Sequence, residues 1–205
     1  MSKTVCLAFT GASGLPYGVR LLECLLAAGC RVQLLYSQAA QIVAKQEMDL
    51  ELPSRPQAVA AYFRQRHADL PGRLEVYGRE EWFAPVASGS NPPDAMVVCP
   101  CSMGTLAAIA QGLSDNLIER AADVVLKERR PLVLVPRETP FSAIHLENML
   151  RLSRAGAVIL PPNPGFYHHP QSVQEIVDFV VARILDQLAV PHRLMARWGE
   201  AGEEG

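Results

Sequence analysis

Two short turns concentrate the residue types that could do chemistry. Thr10-Gly11-Ala12-Ser13-Gly14 follows an apolar run, and Pro16 stands where the next helix would open, a place where proline is tolerated because its missing N–H would have no partner anyway. Small residues there let backbone N–H groups and the positive end of a helix approach an anion, so a phosphate is the expected guest. The spacing Gly11, Gly14, Gly18 is not GxGxxG, and the second apolar run ends at Tyr36-Ser37, where a dinucleotide site would carry a ribose-binding acid. A mononucleotide fits this pattern better than NAD. In the second turn, Cys99-Pro100-Cys101-Ser102-Met103-Gly104-Thr105, Ser102 is suited to cap a helix while Thr105 and the backbone face a ligand. An ordinary turn between strand and helix explains either motif alone. The pair on one sheet points to a site.

Cations bunch in the second half of the chain: Arg120, Lys127, Arg129, Arg130, Arg137 and Arg183. A run such as Lys127 to Arg130 usually marks a solvated helix end, favourable to the helix dipole, and Arg129 and Arg130 are read so. Arg137 differs, because it follows the apolar run Pro131 to Val135 with Glu138 beside it, a pairing suited to binding phosphate and moving a proton. Trp82 lies in a Pro- and Gly-spaced stretch, Trp82 to Pro93, long enough to serve a site; it reads either as core filler or as an aromatic that stacks on a ring or cation. The rigid stretch from Leu160 to Pro170 carries Phe166, Tyr167, His168 and His169 past the end of a strand. His145 has the spacing of a structural helix residue, and His168 and His169 read as caps of their loop. No Ser-His-Asp order and no metal-ligand spacing stand out.

The elements that must hold these groups are legible from period and punctuation. Unbroken apolar runs at Thr4 to Phe9, Arg31 to Tyr36, Ala95 to Cys99, Pro131 to Val135 and Ala157 to Leu160, with Leu74 to Tyr77 as a further strand, fit strands buried on both faces. Helical patterns separate them at Pro16 to Ala28, Gln38 to Met48, Ser102 to Gln111, Leu117 to Glu128, Ser142 to Arg154 and Ser172 to Leu188. Strand and helix in alternation predict an α/β fold, a three-layer doubly wound parallel sheet of Rossmann-like or flavodoxin-like kind. Residues 1–205 read as one domain with a short polar tail, GEAGEEG. Ligands in such sheets bind beyond the carboxyl ends of the strands.

A formal net charge of −2 argues against a nucleic-acid-coating role, and no apolar stretch approaches the roughly 20 residues of a membrane helix. Five cysteines, at positions 6, 24, 30, 99 and 101, form no CxxC and leave one over from any pairing. They read as reduced thiols in a cytoplasmic protein without a metal site.

TGASG, VVCPCSMGTLAAIAQG, DNLIERAADVVLKERRPLVLVPRETPFSAIHLENML and PGFYHHPQSVQEIVDFVVARIL together resemble the UbiX-type flavin prenyltransferases, once described as aromatic-acid decarboxylases. The resemblance spans nearly the whole chain. It implies a flavodoxin-like domain that binds FMN, assembles into a homo-oligomer, dodecameric in the family, and needs no metal. It implies transfer of a dimethylallyl group from dimethylallyl phosphate to N5 and then C6 of reduced FMN, giving prenylated FMN for a UbiD-type decarboxylase. On the matching positions, Gly11, Ala12, Ser13, Ser37, Ser102, Met103, Gly104, Thr105 and Arg137 are implied as FMN contacts. Tyr167 and Arg183 are implied as dimethylallyl phosphate contacts, with Arg120 and Lys127 also associated with the phosphate. Ser13, Glu47, Trp82 and Glu138 are implied in catalysis. Glu47 lies on a separate helix, which leaves open whether it reaches the site from the same subunit or from a neighbour; a structural reading has Arg183, four residues after Phe179, snorkel from an apolar face to water, whereas the resemblance has it buried beside Tyr167. FMN-dependent cysteine decarboxylases share the fold, but their Asn-containing turn is replaced here by Pro100-Cys101-Ser102-Met103-Gly104-Thr105 and their Met-rich clamp by Pro136-Arg137-Glu138-Thr139-Pro140. A flavin carrier without chemistry is a third reading; it would not need cations beyond those one FMN phosphate uses.

Overall fold

The computed structural model describes residues 2–196, so the polar tail GEAGEEG lies outside the described residues. Six strands form one sheet: β1 (Thr4–Phe9), β2 (Arg31–Tyr36), β3 (Arg73–Tyr77), β4 (Ala95–Cys101), β5 (Leu132–Pro136) and β6 (Val158–Ile159). All neighbours pair in parallel, in the order β3-β2-β1-β4-β5-β6. The doubly wound sheet expected from the apolar runs is present, in the strand order of dinucleotide-binding folds and not the 2-1-3-4-5 order of flavodoxins.

Strand side chains alternate between two cores, which is why the runs carry no polar alternation. From β1, Val5, Leu7 and Phe9 enter one core, while Cys6 and Ala8 enter the other. The first is closed by α1 (Leu15–Ala27), α2 (Gln38–Met48), α3 (Pro56–Arg66) and α7 (Val173–Gln187). The second is closed by α4 (Met103–Gln111), α5 (Leu117–Lys127) and α6 (Ala143–Arg154). Ser37, Ser102, Asn116, Ser142 and Ser172 cap α2, α4, α5, α6 and α7 with side-chain oxygens. His145 completes a capping box on α6 by accepting the Ser142 N–H, the structural role its spacing suggested.

Two features depart from the sequence pattern. Helix α3 has no counterpart among the predicted elements; it lacks a side-chain cap and buries only Val59, Ala60 and Phe63, too few for a helical period to stand out. In β4 the register against β5 shifts between Val98 and Cys101, so Cys99 faces the first core and Cys101 the second, where strict alternation would place them together. Bulges of this kind commonly re-aim a strand beside a functional site.

Neighbouring strands β1 and β4 lead into connections that diverge in opposite directions, which makes their carboxyl ends the switch point where ligands enter such sheets. Gly18 brings α1 close to that point: a Cβ there would collide with the Cys99 carbonyl and press on the Phe9 ring. Gly18→Ala is therefore expected to destabilise the fold by about 2 kcal/mol through overpacking. A thermal melt should show a midpoint lowered by about 4–8 °C for a chain of this size.

Candidate functional site

Thr10, the first residue after β1, is buried. Its hydroxyl donates to the Pro100 carbonyl at 2.7 Å and accepts the Ser102 N–H at 2.8 Å. One side chain thus ties the turn after β1 to the turn after β4. Ser102 Oγ in turn accepts the Thr105 N–H at 3.3 Å and donates to Thr105 Oγ1 at 3.0 Å, which sets the first turn of α4. The N–H groups of Ala12, Ser13, Met103 and Gly104 make no hydrogen bond among the described residues. These four amide donors, two from each turn, are among those left to a guest at the switch point.

The glycines of the two turns do different work. A Cβ on Gly11 would collide with Ala39 Cβ on the first turn of α2, so Gly11 serves internal packing. A Cβ on Gly104 would meet nothing within 4 Å. No part of the chain requires a glycine in that helical position, where alanine is favoured by about 1 kcal/mol. Gly104 therefore leaves room for something other than protein, and with the four amides it fits a flat, anionic nucleotide such as FMN.

Gly14, at φ 109, is the left-handed residue at which the chain enters α1. Its N–H donates to both oxygens of Glu47 at 3.1 and 2.9 Å, and the Leu15 N–H donates to Oε2 at 3.0 Å. Glu47, near the end of α2, reaches the turn within its own subunit, which answers the question its position in the sequence left open. The amides of Gly14 and Leu15 already hold a carboxylate, favourably placed at the positive end of α1. The open donors of that turn include those of Ala12 and Ser13. Ser37 draws the end of β2 alongside: its N–H donates to the Phe9 carbonyl at 2.9 Å while its Oγ accepts the Ala40 N–H at 3.1 Å.

On the other side of β4, Pro136 pairs with Cys101, and the Arg137 N–H donates to the Cys101 carbonyl at 3.3 Å. Arg137 and Glu138 line a cavity of ≈ 240 Å³ with Phe141, Pro161 and Asn163. The Arg137 guanidinium makes no hydrogen bond among the described residues, and Glu138 Oε1 accepts the Thr139 N–H of its own turn at 3.1 Å. Burial pushes the Cys99 and Cys101 thiols well above their ordinary range, so neither is a thiolate nucleophile. Gly11, Ala12, Ser13, Ser37, Ser102, Met103, Gly104, Thr105 and Arg137 thus assemble at the carboxyl ends of β2, β1, β4 and β5.

Arg120, Lys127, Tyr167 and Arg183 make contacts with groups outside this set. Lys127 ends α5 before the amino end of β5, a strand length of about 16 Å from Arg137 at its carboxyl end, and its ammonium pairs with Glu128 at 2.5 Å. Arg120, two turns earlier, donates to the Ala87 carbonyl at 3.0 Å and pairs with Asp123 at 2.8 Å. Trp82 is 44% exposed in the loop after β3, which removes the core-filler reading. Tyr167 stands edge-on to Phe179 at 5.9 Å between ring centroids, and Arg183 follows Phe179 by one turn of α7. The Arg183 side chain is 52% exposed and pairs with Asp186. The expectation of a buried Arg183 is corrected: it projects to the surface of α7. His168 stacks on Phe179 at 5.3 Å and His169 holds a left-handed φ of 51, both positions that shape the loop.

Thr10 is the residue that sequence reasoning passed over. The signal was present, a hydroxyl at the first position after a strand, but its partners lie 90 residues away. Thr10→Val, which keeps the shape and removes the hydroxyl, leaves the buried Pro100 carbonyl and the partly buried Ser102 N–H unpaired at a cost of about 1–3 kcal/mol. Calorimetric titration should show weaker FMN binding for this variant together with a lowered thermal midpoint. Gly104→Ala should separate the two, weakening FMN at wild-type or higher stability.

A family model described as Flavoprotein matches residues 1–185. A flavin prenyltransferase UbiX of Pseudomonas aeruginosa is 60% identical over 198 residues, covering 97% of this chain and 95% of that protein. A UbiX structure, AnUbiX in complex with FMN and dimethylallyl pyrophosphate, superposes with a TM-score of 0.85 at 42% identity, covering 97% of this chain and 98% of that one. A dodecameric FMN-dependent UbiX-like decarboxylase of Escherichia coli gives 0.82 at 44% identity, with coverage of 95% and 98%. With the family model matched over most of its length and relatives this similar along nearly all of it, the chain belongs to the flavoprotein family and, within it, to the UbiX flavin prenyltransferases.

Proposed function

We propose that this protein binds reduced FMN at the β1/β4 switch point and transfers to it a dimethylallyl group from dimethylallyl phosphate. The observation that carries this reading is the four open amides around Gly104, held at fixed separation by Thr10. Reduced FMN supplies the nucleophilic N5 and C6. In this reading the amides of Ala12 and Ser13, with Ser37, hold the FMN phosphate, and Ser102, Met103, Gly104 and Thr105 hold the ring beside Arg137. The allylic C–O bond of the donor breaks and orthophosphate departs, so catalysis consists of stabilising that anion and the carbocation left behind. Glu138 and Ser13 carry protons between flavin and phosphate, while Glu47 fixes the turn that presents Ser13.

Of the residues read as donor contacts, Lys127, Tyr167 and Arg183 are exposed and Arg120 is half-buried. We infer that Arg120, Lys127, Tyr167 and Arg183 serve the crevice of an adjacent copy. The dodecameric state of the Escherichia coli relative supports a homo-oligomer, proposed here as a dodecamer. The whole chain then acts as one FMN-binding domain, its product passing to a UbiD-type decarboxylase. A cytoplasmic location accords with the free cysteines and with the described residues, in which no helix is long and apolar enough to cross a membrane.

Mass spectrometry of flavin released after anaerobic incubation with reduced FMN and dimethylallyl phosphate tests the reading. It predicts a flavin heavier by one isoprene unit; an unchanged flavin would refute it. Trp82→Ala should slow formation of the flavin–prenyl bond about 5- to 30-fold, because a desolvated π face stabilises a cation by about 1–2 kcal/mol. FMN affinity measured by titration should stay near wild type, since the phosphate and ring contacts lie elsewhere.

A further inference from the structure

Near the carboxyl end of α7 a second cluster of charged side chains lies apart from the switch point. Asp186 accepts Arg183 Nη1 on Oδ2 at 2.6 Å and faces His192 Nε2 with Oδ1 at 3.1 Å. The His192 side chain is only 8% exposed, and its Nδ1 accepts the Leu194 N–H at 3.4 Å. An acceptor at Nδ1 puts the proton of the neutral imidazole on Nε2, so the ring donates to Asp186. The segment carrying His192 is itself tied down. Leu194 and Met195 pack against the first core, and Lys3 donates to the Leu188 carbonyl.

This arrangement decides which edge of Arg183 is available. Nη1 is used by Asp186, whereas Nε and Nη2 make no hydrogen bond among the described residues. Those two N–H groups are parallel and match two oxygens of a phosphate. A cavity of ≈ 470 Å³ lined by Arg183, Asp186, Ala189, Val190 and Pro191 adjoins the guanidinium. An exposed pair at i, i+3 stabilises a helix little, and stability alone would not call for a buried histidine on the far oxygen of the carboxylate.

We propose that Asp186, held by His192, is a positioning residue that presents the Nε–Nη2 edge of Arg183 to the phosphate of the prenyl donor. The segment after α7 thereby sets donor affinity without touching the donor. The proposal rests on the reading of Arg183 as a donor contact.

Calorimetric titration of dimethylallyl phosphate into the full-length protein with oxidised FMN, under which no transfer occurs, separates the two claims. Thermal midpoint and FMN affinity are measured alongside. Asp186→Ala should raise the donor Kd about tenfold, the scale of a misplaced binding group, with FMN affinity unchanged. Asp186→Asn, which disturbs the fold less, and His192→Asn should shift the donor Kd in the same direction by less. In an Arg183→Ala background, Asp186→Ala should add nothing further to the donor Kd. Equal effects of Asp186→Ala in both backgrounds, or a lowered midpoint with wild-type donor affinity, would overturn the positioning role while leaving Arg183 as a contact. If Arg183→Ala itself leaves donor affinity unchanged, the reading of Arg183 fails and the positioning role with it.

Discussion

The Thr10 hydroxyl, donor to one strand end and acceptor from the other, is the constraint on which the site depends. Parallel strands fix the spacing of their own backbones but not the paths of the turns beyond them. Those turns leave the sheet toward opposite ends, and without a cross-tie each could relax separately. A single buried side chain that satisfies the Pro100 carbonyl and the Ser102 N–H makes the two turns one body. The bond to Pro100 is buried and the one from Ser102 partly so, and leaving a buried polar group unpaired is costly. The shifted register of β4 brings Pro100 and Ser102 to where Thr10 can reach both.

Around that tie the chain sorts its anion-binding groups into two kinds. Backbone amides and small residues line the crevice between β1 and β4, where close approach matters more than charge. The long cationic side chains are carried outward on α5 and α7. Glu47 marks the division, since its carboxylate already fills the end of α1 and leaves only the outer amides of the turn for a guest. A subunit built this way offers a pre-formed cradle on one side and outward-facing, ion-paired cations on the other. Self-association is the economical way to bring both to one substrate.

How much of this the sequence disclosed follows from the range of the interactions. The boundaries of β1, β2 and α2 are readable to the residue because an apolar run or a capping serine ends each one. Helix α3 is not readable, because its few apolar positions set no period. The two turns stand out by composition, and Ser102 as a cap is a local signal. The link through Thr10, the reach of Glu47 to Gly14 and the outward projection of Arg183 all depend on which segments become neighbours. The resemblance to a family supplied candidate residues but not their arrangement, and burial of Arg183 was the expectation that failed.

The central claim is that the open amides of the two tied turns are where the flavin binds. Hydrogen–deuterium exchange at single-amide resolution, with and without FMN, tests it most directly. Gly14 and Leu15 should exchange slowly in both states, because Glu47 holds their N–H groups. Ala12, Ser13, Met103 and Gly104 should exchange fast alone and become protected with FMN. Protection that instead appears around Lys127 to Arg130, with those four amides unchanged, would contradict the account.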